Sequence, residues 1–417
     1  MSNHRPLART LLLAAALPLA GCADLGPAQA SSPGAALLAL PRSLSAAEQT
    51  VLSSSNAFSF ALWNRINAAQ RDSNVFVSPL SASFSLGMAL NGAANQTFDE
   101  MQSGLQFGTT SLADIDAGYK SLVALLTSLD PSVTMQIANS IWYRNTVPFN
   151  QSFLDAGSNY FNATIKPLNF NDAAASLAAI NAWVNDQTHG KIPTILQSIN
   201  PYDVMYLINA IYFKGSWRTR FDAAQTAGAP FHSAGGDQPA QLMHRHGTMS
   251  YTATPAYQAV DLPYGDSAFT MTVVLPDPST TVDALATSLD AATWQGLTAG
   301  LHSGDVDLYL PKVTMSWERE LIPDLEALGM HLPFSSTGAD FTKMSAMGGL
   351  YISFVKQKTF VDINEEGTEA AAVTATGVSA TSVSVPSLIR VDRPFIFAIR
   401  ERLSGTVLFM GKVVRLP

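Results

Sequence analysis

Apolar residues recur along most of the chain, either at helical spacing or in short runs. Residues 46–70 carry apolar side chains on one helical face, and residues 202–213 form an apolar run that fits a central strand. Helices are predicted at 46–70, 79–91, 111–129 and 173–188. Strands are predicted at 74–77, 135–143, 202–213, 260–262, 268–275, 306–310, 351–364, 395–400 and 406–414. Because the helices concentrate in the first half and the strands follow in runs, the pattern favours an α+β fold over a doubly wound sheet.

One segment between two predicted strands has little to bury. Residues 365–382 (EEGTEAAAVTATGVSATS) contain no aromatic side chain, no large apolar side chain and no charge after Glu369. Such a segment is expected to be an exposed loop, and a long loop within a compact domain is usually functional or disordered. The side chains after Glu369 are all small or β-branched, so the same segment would also fit inside a sheet as a strand.

The N-terminus has the features of a secretion signal. A positively charged region precedes an apolar run at residues 11–20, which is too short to span a bilayer. The run ends in the sequence LAGC, which resembles the lipobox of bacterial lipoproteins and predicts lipidation of Cys22. We therefore expect a lipoprotein signal peptide at residues 1–21. A catalytic or incidental thiol at Cys22 is the alternative interpretation.

The predicted signal peptide is followed by a segment rich in Ala, Pro, Ser and Gly. Residues 22–45 are expected to form a tether, and residues 46–417 one folded domain. Two or more acyl chains at Cys22 would anchor the protein firmly in a membrane. Because Ala23 rather than Asp follows the cysteine, we expect a lipid-anchored protein of the cell envelope, at the outer membrane or the cell surface.

Composition and charge exclude several classes of partner. The chain has 417 residues, of which 47% are hydrophobic and 13% charged, which suits a large buried core. Its net charge of −8, without a basic stripe, argues against a nucleic-acid partner. In the predicted helix at 111–129, Lys120 is the only basic residue, so no glycosaminoglycan partner is expected. Cys22 is the single cysteine, so no disulfide forms within the chain, and we expect a monomer.

The residues of an enzyme or a metal site are not apparent. The chain contains no Gly-x-Ser-x-Gly, His-Glu-x-x-His or Walker motif. His244 and His246 flank Arg245 and would supply only two ligands on one strand face, without a carboxylate nearby in the sequence. A triad assembled from distant residues stays open, because sequence spacing does not reveal one. We expect no metal, no cofactor and no catalytic residues.

Six segments of the chain, in this order, resemble signature segments of the serpin family of serine protease inhibitors. They are NVFVSPLSASFSLGMALNGA from Asn74, NAWVNDQTHGKI from Asn181, NAIYFKGSWRTRF from Asn209, LPKVTMSWERELIPDLEALGM from Leu310, VDINEEGTEAAAVT from Val361 and IRVDRPFIFAI from Ile389. The resemblance covers essentially everything from about residue 46 to Pro417. It implies the serpin fold, with a large central mixed sheet, two further sheets, about eight or nine helices and an exposed reactive-centre loop.

The resemblance also implies an activity, suicide-substrate inhibition of a protease. A serpin is cut in its exposed loop, forms a covalent acyl-enzyme, and then inserts the loop into the large sheet, which distorts the protease before it is released. The alternative is a non-inhibitory serpin that acts as a chaperone or a binding protein. A cleaved loop without a covalent adduct would distinguish the alternative from an inhibitor.

The hinge implied by the resemblance has side chains that suit insertion. It comprises Glu365, Glu366, Gly367, Thr368, Glu369, Ala370, Ala371 and Ala372. Because side chains alternate across a strand, one face of the inserted loop must enter the core. From Gly367 onwards, the inward set is Thr368, Ala370, Ala372, Thr374, Thr376, Val378 and Ala380, none of which is charged or large. These side chains favour an inhibitor, although small residues also occur in flexible linkers.

The family's loop length predicts the bond that a target protease would cut. Seventeen residues counted from Glu365, as in inhibitory members, place the bond at Thr381–Ser382, with Ala380–Thr381 as the next choice. The preceding specificity residues are Val378, Ser379 and Ala380. They include no basic or aromatic side chain, so an elastase-like or subtilisin-like serine protease is expected, and a papain-like cysteine protease stays open.

Other residues match positions that control opening of the family's large sheet. Those at the sheet's centre are Ser78, Pro79, Ser81, Asn209 and Gln357. Gln357 is a departure, because many members have a histidine there; its buried amide needs partners, which Ser78 or Asn209 would supply. Lys312 and Glu365 match a pair at the top of the sheet, beside Trp217. An ordinary surface pair, worth under about 1 kcal/mol, is the equally weighted alternative for Lys312 and Glu365.

Overall fold

The computed structural model describes residues 1–2, 34–368 and 385–417. By its contacts the chain divides into two units, Met1–Ser32 and Pro33–Pro417, and the fold below is that of the second unit. Cys22 and the loop positions from 369 to 382 lie outside the described residues. No helix of the described part is both long enough and apolar enough to cross a membrane.

The helices lie mainly in the first half of the chain, as the sequence pattern predicts. Among the described residues they are α1 Ala46–Ala69, α2 Pro79–Leu90, α3 Asn95–Gly104, α4 Leu112–Ser128, α5 Gln151–Phe161, α6 Ala173–Gln187, α7 Val282–Ser288, α8 Ala291–Ala299 and α9 Ile322–Glu326. Local chemistry explains where the first of them begin. Ser45 and Glu48 form a capping box at the start of α1, and Pro79 occupies the first turn of α2.

Most of the described strands lie in the second half of the chain, and four come earlier or begin near its middle. They are β1 Val75–Val77, β2 Val133–Arg144, β3 Thr164–Leu168, β4 Met205–Ser216, β5 Ala227–Ser233, β6 Gly236–Ala253, β7 Tyr257–Pro263, β8 Phe269–Pro276, β9 His302–Pro311, β10 Val313–Glu320, β11 Lys356–Asn364, β12 Gly367–Thr368, β13 Ser387–Arg390, β14 Phe395–Glu401 and β15 Val407–Val413. The predicted strand at 351–364 therefore begins only at Lys356. Just before it, the backbone N–H of Val355 donates to a carboxylate oxygen of Glu320, and the carbonyl of Val355 accepts from the backbone N–H of Leu321.

The large central sheet has six strands in the order β10-β11-β12-β4-β2-β3. It is mixed, because β2 and β3 run parallel while the other neighbours are antiparallel. Its strand β4 is almost entirely buried, which explains the long apolar run in the sequence. Helix α2 packs against β4 and lies beneath the middle of this sheet.

The described strands form one further sheet instead of the expected two. It has nine strands in the order β1-β15-β14-β8-β7-β6-β9-β13, and β5 also pairs with β6. The physical reason is β6, which is 18 residues long and pairs with β5, β7 and β9 at different points. This one strand joins what would otherwise be two separate sheets.

The described part of the predicted tether lies against the folded unit. We call residues 34–45 the N-terminal arm. The backbone N–H of Leu37 donates to the carbonyl of Asp266 at 2.7 Å, and Arg218 Nη2 donates to the carbonyl of Gly34 at 3.1 Å. Leu38 is exposed. Leu37, Leu40 and Leu44 of the arm pack on the core. The arm is held because these leucines have apolar surface to bury.

Candidate functional site

The predicted hinge begins as a very short strand in the centre of the six-stranded sheet. After a turn at Glu365 and Glu366, the two residues of β12 pair with strands on both sides. Thr368 lies opposite Ile363 of β11 and Gly215 of β4. Gly367 lies opposite Asn364 of β11 and Ser216 of β4. Beyond β12, the strands β4 and β11 have no pairing with each other among the described residues.

Only glycine fits at position 367. Its φ is +151°, a conformation that side chains rarely adopt. A Cβ atom added there would lie 2.1 Å from the carbonyl oxygen of Gly215 and 2.7 Å from the Cα of Ser216. Because both are backbone atoms of β4, no side-chain rotation would relieve the collision.

Thr368 is held by aromatic side chains that directly follow β4 and β7 in the chain. Its side chain is 2% exposed, and its hydroxyl hydrogen-bonds with the Tyr264 hydroxyl at 2.7 Å. The ring of Tyr264 stacks on Trp217 with centroids 4.5 Å apart and an interplanar angle of 16°. Burial raises the pKa of Tyr264, so its hydroxyl keeps the proton it can donate.

Trp217 also holds the turn that precedes β12. Its indole Nε1 donates to the carbonyl of Asn364 at 2.8 Å, and its backbone N–H donates to the carbonyl of Glu366 at 2.8 Å. The backbone N–H of Phe221 donates to the carbonyl of Glu365 at 3.0 Å. The position that the sequence assigned to the top of the sheet therefore contacts the hinge directly.

Lys312 and Glu365 form an ion pair beside this turn. Lys312 Nζ lies 2.8 Å from Glu365 Oε2, and Thr226 Oγ1 donates to Glu365 Oε1 at 2.8 Å. Burial acts to raise the pKa of Glu365, but the hydrogen bonds from Lys312 and Thr226 outweigh it and hold the pKa below its usual value. The Glu365 side chain is 13% exposed and the Lys312 side chain 43% exposed, so water still reaches the pair and weakens the attraction between its charges.

Gln357 and Ser78 meet beneath the middle of the sheet. The amide of Gln357 accepts from the backbone N–H of Ser78 at 2.8 Å and donates to the Ser78 carbonyl at 2.8 Å. The Ser78 hydroxyl donates to the carbonyl of Leu408 at 2.8 Å and accepts from the N–H of Ser81 at 3.4 Å. Pro79 stands between these serines as the first residue of α2. Both polar groups of the buried Gln357 amide are satisfied by the Ser78 backbone.

Asn209 points elsewhere and leaves an acceptor without a partner. Its Nδ2 donates to Asn139 Oδ1 on the neighbouring strand at 2.5 Å, and among the described residues its own Oδ1 accepts no hydrogen bond. The buried hydroxyls of Ser81 and Ser85 also have no hydrogen-bond partner among the described residues. A small cavity between β4 and β11 is lined by Ala82, Ser85, Leu207, Asn209, Val355 and Gln357. It lies where β4 and β11 have no strand between them in the part of the chain that the structure describes.

Some residues of the site carry no signal in the sequence. Tyr264 and Thr226 come from distant segments and belong to none of the six recognised motifs, and only the folded chain brings them to the hinge. Arg220, which pairs with Glu366 at 2.7 Å, lies within a motif but has no recognised role there.

The histidines that were considered as metal ligands do have carboxylates nearby. His244 Nε2 lies 2.6 Å from Asp307 Oδ1, and His246 Nε2 lies 3.1 Å from Asp305 Oδ1. The carboxylates come from β9, which pairs with β6, so the spacing along the chain did not reveal them. In the described part of the chain, no three His, Cys, Asp or Glu side chains are arranged to hold a metal ion.

The remaining predicted site residues lie outside the described residues. They are Glu369, Ala370, Ala371 and Ala372 of the hinge, Val378, Ser379 and Ala380 of the specificity segment, Thr381 and Ser382 of the bond to be cut, and Cys22. Their roles stay predictions. The described site is therefore the first half of the hinge with its supports, and it ends at Thr368.

The chain is similar to known proteins over most of its length. Residues 53–416 match the family model described as Serpin (serine protease inhibitor). The leukocyte elastase inhibitor of Xenopus tropicalis is 32% identical over 366 residues, which are 85% of this chain and 96% of that protein. Human Serpin B11 is 29% identical over 387 residues, 87% of this chain and 98% of that protein.

Solved structures agree with these sequence relatives. The thermophilic serpin tengpin in its native state superposes with a TM-score of 0.81 at 30% identity, covering 91% of this chain and 98% of that one. Human thyroxine-binding globulin complexed with its hormone superposes with a TM-score of 0.82 at 27% identity, covering 89% of this chain and 100% of that one.

Proposed function

The chain belongs to the serpin family and has the serpin fold, and from this premise we propose that it is a suicide-substrate inhibitor of serine proteases. In the proposed reaction the protease attacks the loop, forms an acyl-enzyme and remains attached while the loop enters the six-stranded sheet. One observation carries the proposal: Gly367 and Thr368 already pair with β4 and β11 as the first two residues of a strand between them.

The register of β12 with its two neighbours predicts where the next loop residues would go. Continuing it past Thr368 would place Ala370 between Val361 and Phe213, since each step moves one residue along both neighbouring strands. Further on, Thr374 would come between Gln357 and Asn209. The small inward side chains suit positions beside large buried ones, such as Phe213.

Thr374 would reach the place where a hydrogen-bonding group is missing. The Oδ1 of Asn209 has no donor among the described residues, and the neighbouring cavity is bordered by Ser85 and Gln357. A threonine hydroxyl inserted there would donate to Asn209 and fill part of the cavity. Burying a polar atom without a partner costs about 1–3 kcal/mol, so satisfying Asn209 would favour the inserted state.

The target class follows from the residues before the proposed cut bond. Val378, Ser379, Ala380 and Thr381 are small or β-branched, which suits the shallow apolar pocket of an elastase-like or subtilisin-like protease. The similarity to a leukocyte elastase inhibitor supports the same class. A covalent complex with such a protease is the proposed partner interaction.

A non-inhibitory binding protein is the second candidate function. The similarity to thyroxine-binding globulin, a serpin named for a bound hormone, is the observation that favours it. A binding protein would be cleaved in its loop by a protease without forming an adduct. It would also gain no thermal stability on cleavage, and both properties separate it from an inhibitor.

The decisive experiment mixes the purified protein with elastase, subtilisin and trypsin. We expect an adduct that survives SDS with elastase or subtilisin, and mass spectrometry is expected to show cleavage at Thr381–Ser382. Thr368 already occupies a position that is 2% exposed in the intact protein, and a charged side chain is unfavourable there. In the variant Thr368→Arg we expect the hinge to leave the sheet and to re-enter it poorly after the cut, so cleavage without an adduct is expected. Glu369→Arg is the matched control, because alternation along a strand predicts an outward side chain at position 369, and the adduct should persist.

We also propose that the protein is lipid-anchored in the cell envelope through Cys22. The LAGC sequence after a short apolar run supports this location. Labelling cells with a radioactive fatty acid would transfer label to the wild-type protein and not to Cys22→Ala. Equal label in both proteins would contradict lipidation of Cys22, and it would leave the inhibitory proposal unaffected.

A further inference from the structure

A groove beside β6 concentrates positive charge and hydroxyl groups. It lies where β6 begins to pair with β7, and it holds space open to water of about 280 Å³. Two arginines and four hydroxyl side chains border it: Arg218, Arg245, Thr219, Thr248, Ser250 and Ser303. None of these residues belongs to the hinge or to its supports.

Arg245 lacks a counter-charge in this groove. Its guanidinium donates to the carbonyl of Thr219 and lies 5.2 Å over the ring of Phe221, and no carboxylate of the described residues forms an ion pair with it. Burial lowers the pKa of Arg245 to about 10. A desolvated cation is unfavourable unless an anion or further hydrogen bonds compensate it, so this side chain would gain from an anionic ligand.

Arg218 adds a second positive charge that is poorly matched. Its guanidinium donates to the carbonyls of Gly265 and Gly34, and a carboxylate oxygen of Asp266 lies 4.0 Å away. Asp261 also borders the groove, but it pairs with Arg400 at 2.6 Å, so its charge is already balanced. The groove is thus locally positive in a chain whose net charge is −8.

The hydroxyl groups around the arginines are available as donors. Those of Thr219, Thr248, Ser250 and Ser303 make no hydrogen bond within the part of the chain that the structure describes. Guanidinium groups with nearby hydroxyl donors are the combination that proteins use to bind phosphate and sulfate. We propose that this groove binds a small oxyanion, the phosphate or sulfate group of a free ion or of a larger molecule, through Arg218, Arg245 and these hydroxyls.

The groove adjoins the residues that hold the hinge. Arg218 directly follows Trp217, and Pro263 of the groove directly precedes Tyr264, so the stacked pair that holds Thr368 lies next to the site. An oxyanion that binds only the folded protein raises its melting temperature by mass action. The site is distinct from the proposed inhibitory activity, which does not require it.

The test titrates inorganic phosphate into the full chain at constant ionic strength, with chloride as the balancing ion. We expect a saturable rise in melting temperature, and Ser303→Asp should abolish it by placing a carboxylate at the exposed rim of the groove. Thr109→Asp adds the same charge at an exposed position of the α3–α4 connection and should leave the rise intact. These variants avoid changing Arg245, whose loss could affect folding.

A second arm separates a free ion from a lipid headgroup. Co-sedimentation of the same proteins with phosphatidylglycerol vesicles is compared with co-sedimentation with neutral phosphatidylcholine vesicles. A phosphate-induced rise that only Ser303→Asp loses supports the free ion as the ligand. Preferential binding to anionic vesicles that only Ser303→Asp loses supports a headgroup. If Ser303→Asp matches the wild type in both arms, or if neither probe binds, the groove is not an oxyanion site.

Discussion

At the scale of single residues, Gly367 is the position that tolerates least change. Its φ of +151° and the 2.1 Å approach of Gly215 both exclude a Cβ atom. We expect Gly367→Ala to lower the melting temperature of the intact protein, with a cost of about 1–3 kcal/mol for the strain alone. Gly108→Ala is the control, because Gly108 has φ +56° but no atom within 4 Å of an added Cβ. Equal effects of both substitutions would show that the close approach to β4 is unimportant.

Asp116 of α4 should make stability depend on pH. Burial raises its pKa to about 6, although a hydrogen bond from Asn91 Nδ2 at 2.8 Å acts to lower it. Between the usual value of 3.8 and about 6, the folded state binds a proton that the unfolded chain has released. Stability therefore falls as the pH rises through this window, and the loss persists above it.

The variant Asp116→Asn removes this titration and keeps an acceptor for Asn91. We expect its free energy of unfolding at pH 7.5 to exceed that of the wild type by on the order of 2 kcal/mol, which raises its melting temperature. We also expect its stability to lose the dependence on pH between pH 4 and 6. Melting curves from pH 4 to pH 8 measure both effects. The exposed Asp99→Asn is the control, and an Asp116→Asn protein that melts lower at pH 7.5 would contradict the assigned cause.

Single residues of the site were predictable only where the family resemblance reaches them. Trp217 and Lys312 belong to recognised motifs, and Gln357 was assigned from its place ten residues before Gly367. In the structure Trp217 and Lys312 contact the turn before β12, and Gln357 contacts Ser78. Tyr264 could not be assigned, because its contact with Thr368 joins residues far apart in the chain. Hydrogen bonds of this kind exist only after the sheets have packed.

At the scale of elements, the turn before β12 is held by an ion pair from Lys312, which lies between β9 and β10. We expect Lys312→Met to weaken the hold on Glu365 and to lower the melting temperature slightly, since a half-exposed pair contributes under about 1 kcal/mol. Because the pKa of Glu365 is lowered, this contribution is present at neutral pH and is lost as the pH falls through that lowered value.

The pH dependence makes the Lys312→Met prediction testable. Thermal melts at neutral pH should separate the variant from the wild type, and the difference should close at acid pH, where Glu365 is protonated. Lys166→Met on β3 is the control, since Lys166 is exposed at the opposite edge of the same sheet. A difference that stays constant at all pH values would mean that Lys312 acts by packing and not by charge.

Elements were predictable where their stability is local. Helix α2 has Ser78 as its cap, Pro79 in its first turn and a sequence rich in Leu, Ala and Met, so pattern alone locates it. Helix α3 was not predicted, because Ala94 provides no side-chain cap and its sequence is mostly polar. Strand β6 was not predicted either, because it has no apolar run and owes its order to pairing with three other strands.

At the scale of the whole molecule, the proposed inhibitory mechanism requires that the intact protein is less stable than the form with the loop inserted. Within residues 34–368 and 385–417, which the structure describes, only Gly367 and Thr368 pair between β4 and β11, and both strands continue for several residues without a partner on the facing edges. Inserting about a dozen loop residues there, at about 1 kcal/mol per net hydrogen bond, would release on the order of 10 kcal/mol. That amount is comparable with the whole stability of an ordinary domain, so the lifetime of the intact form is set by a kinetic barrier.

The most direct test compares the melting temperatures of intact protein and of protein cleaved once in its loop by a protease. Cleavage frees the loop to insert, so the account predicts that the cleaved protein melts more than about 10 °C higher, with the Thr368→Arg variant gaining much less. If cleaved and intact wild-type protein melt at the same temperature, no energy was stored, and the inhibitory mechanism proposed for this chain is contradicted.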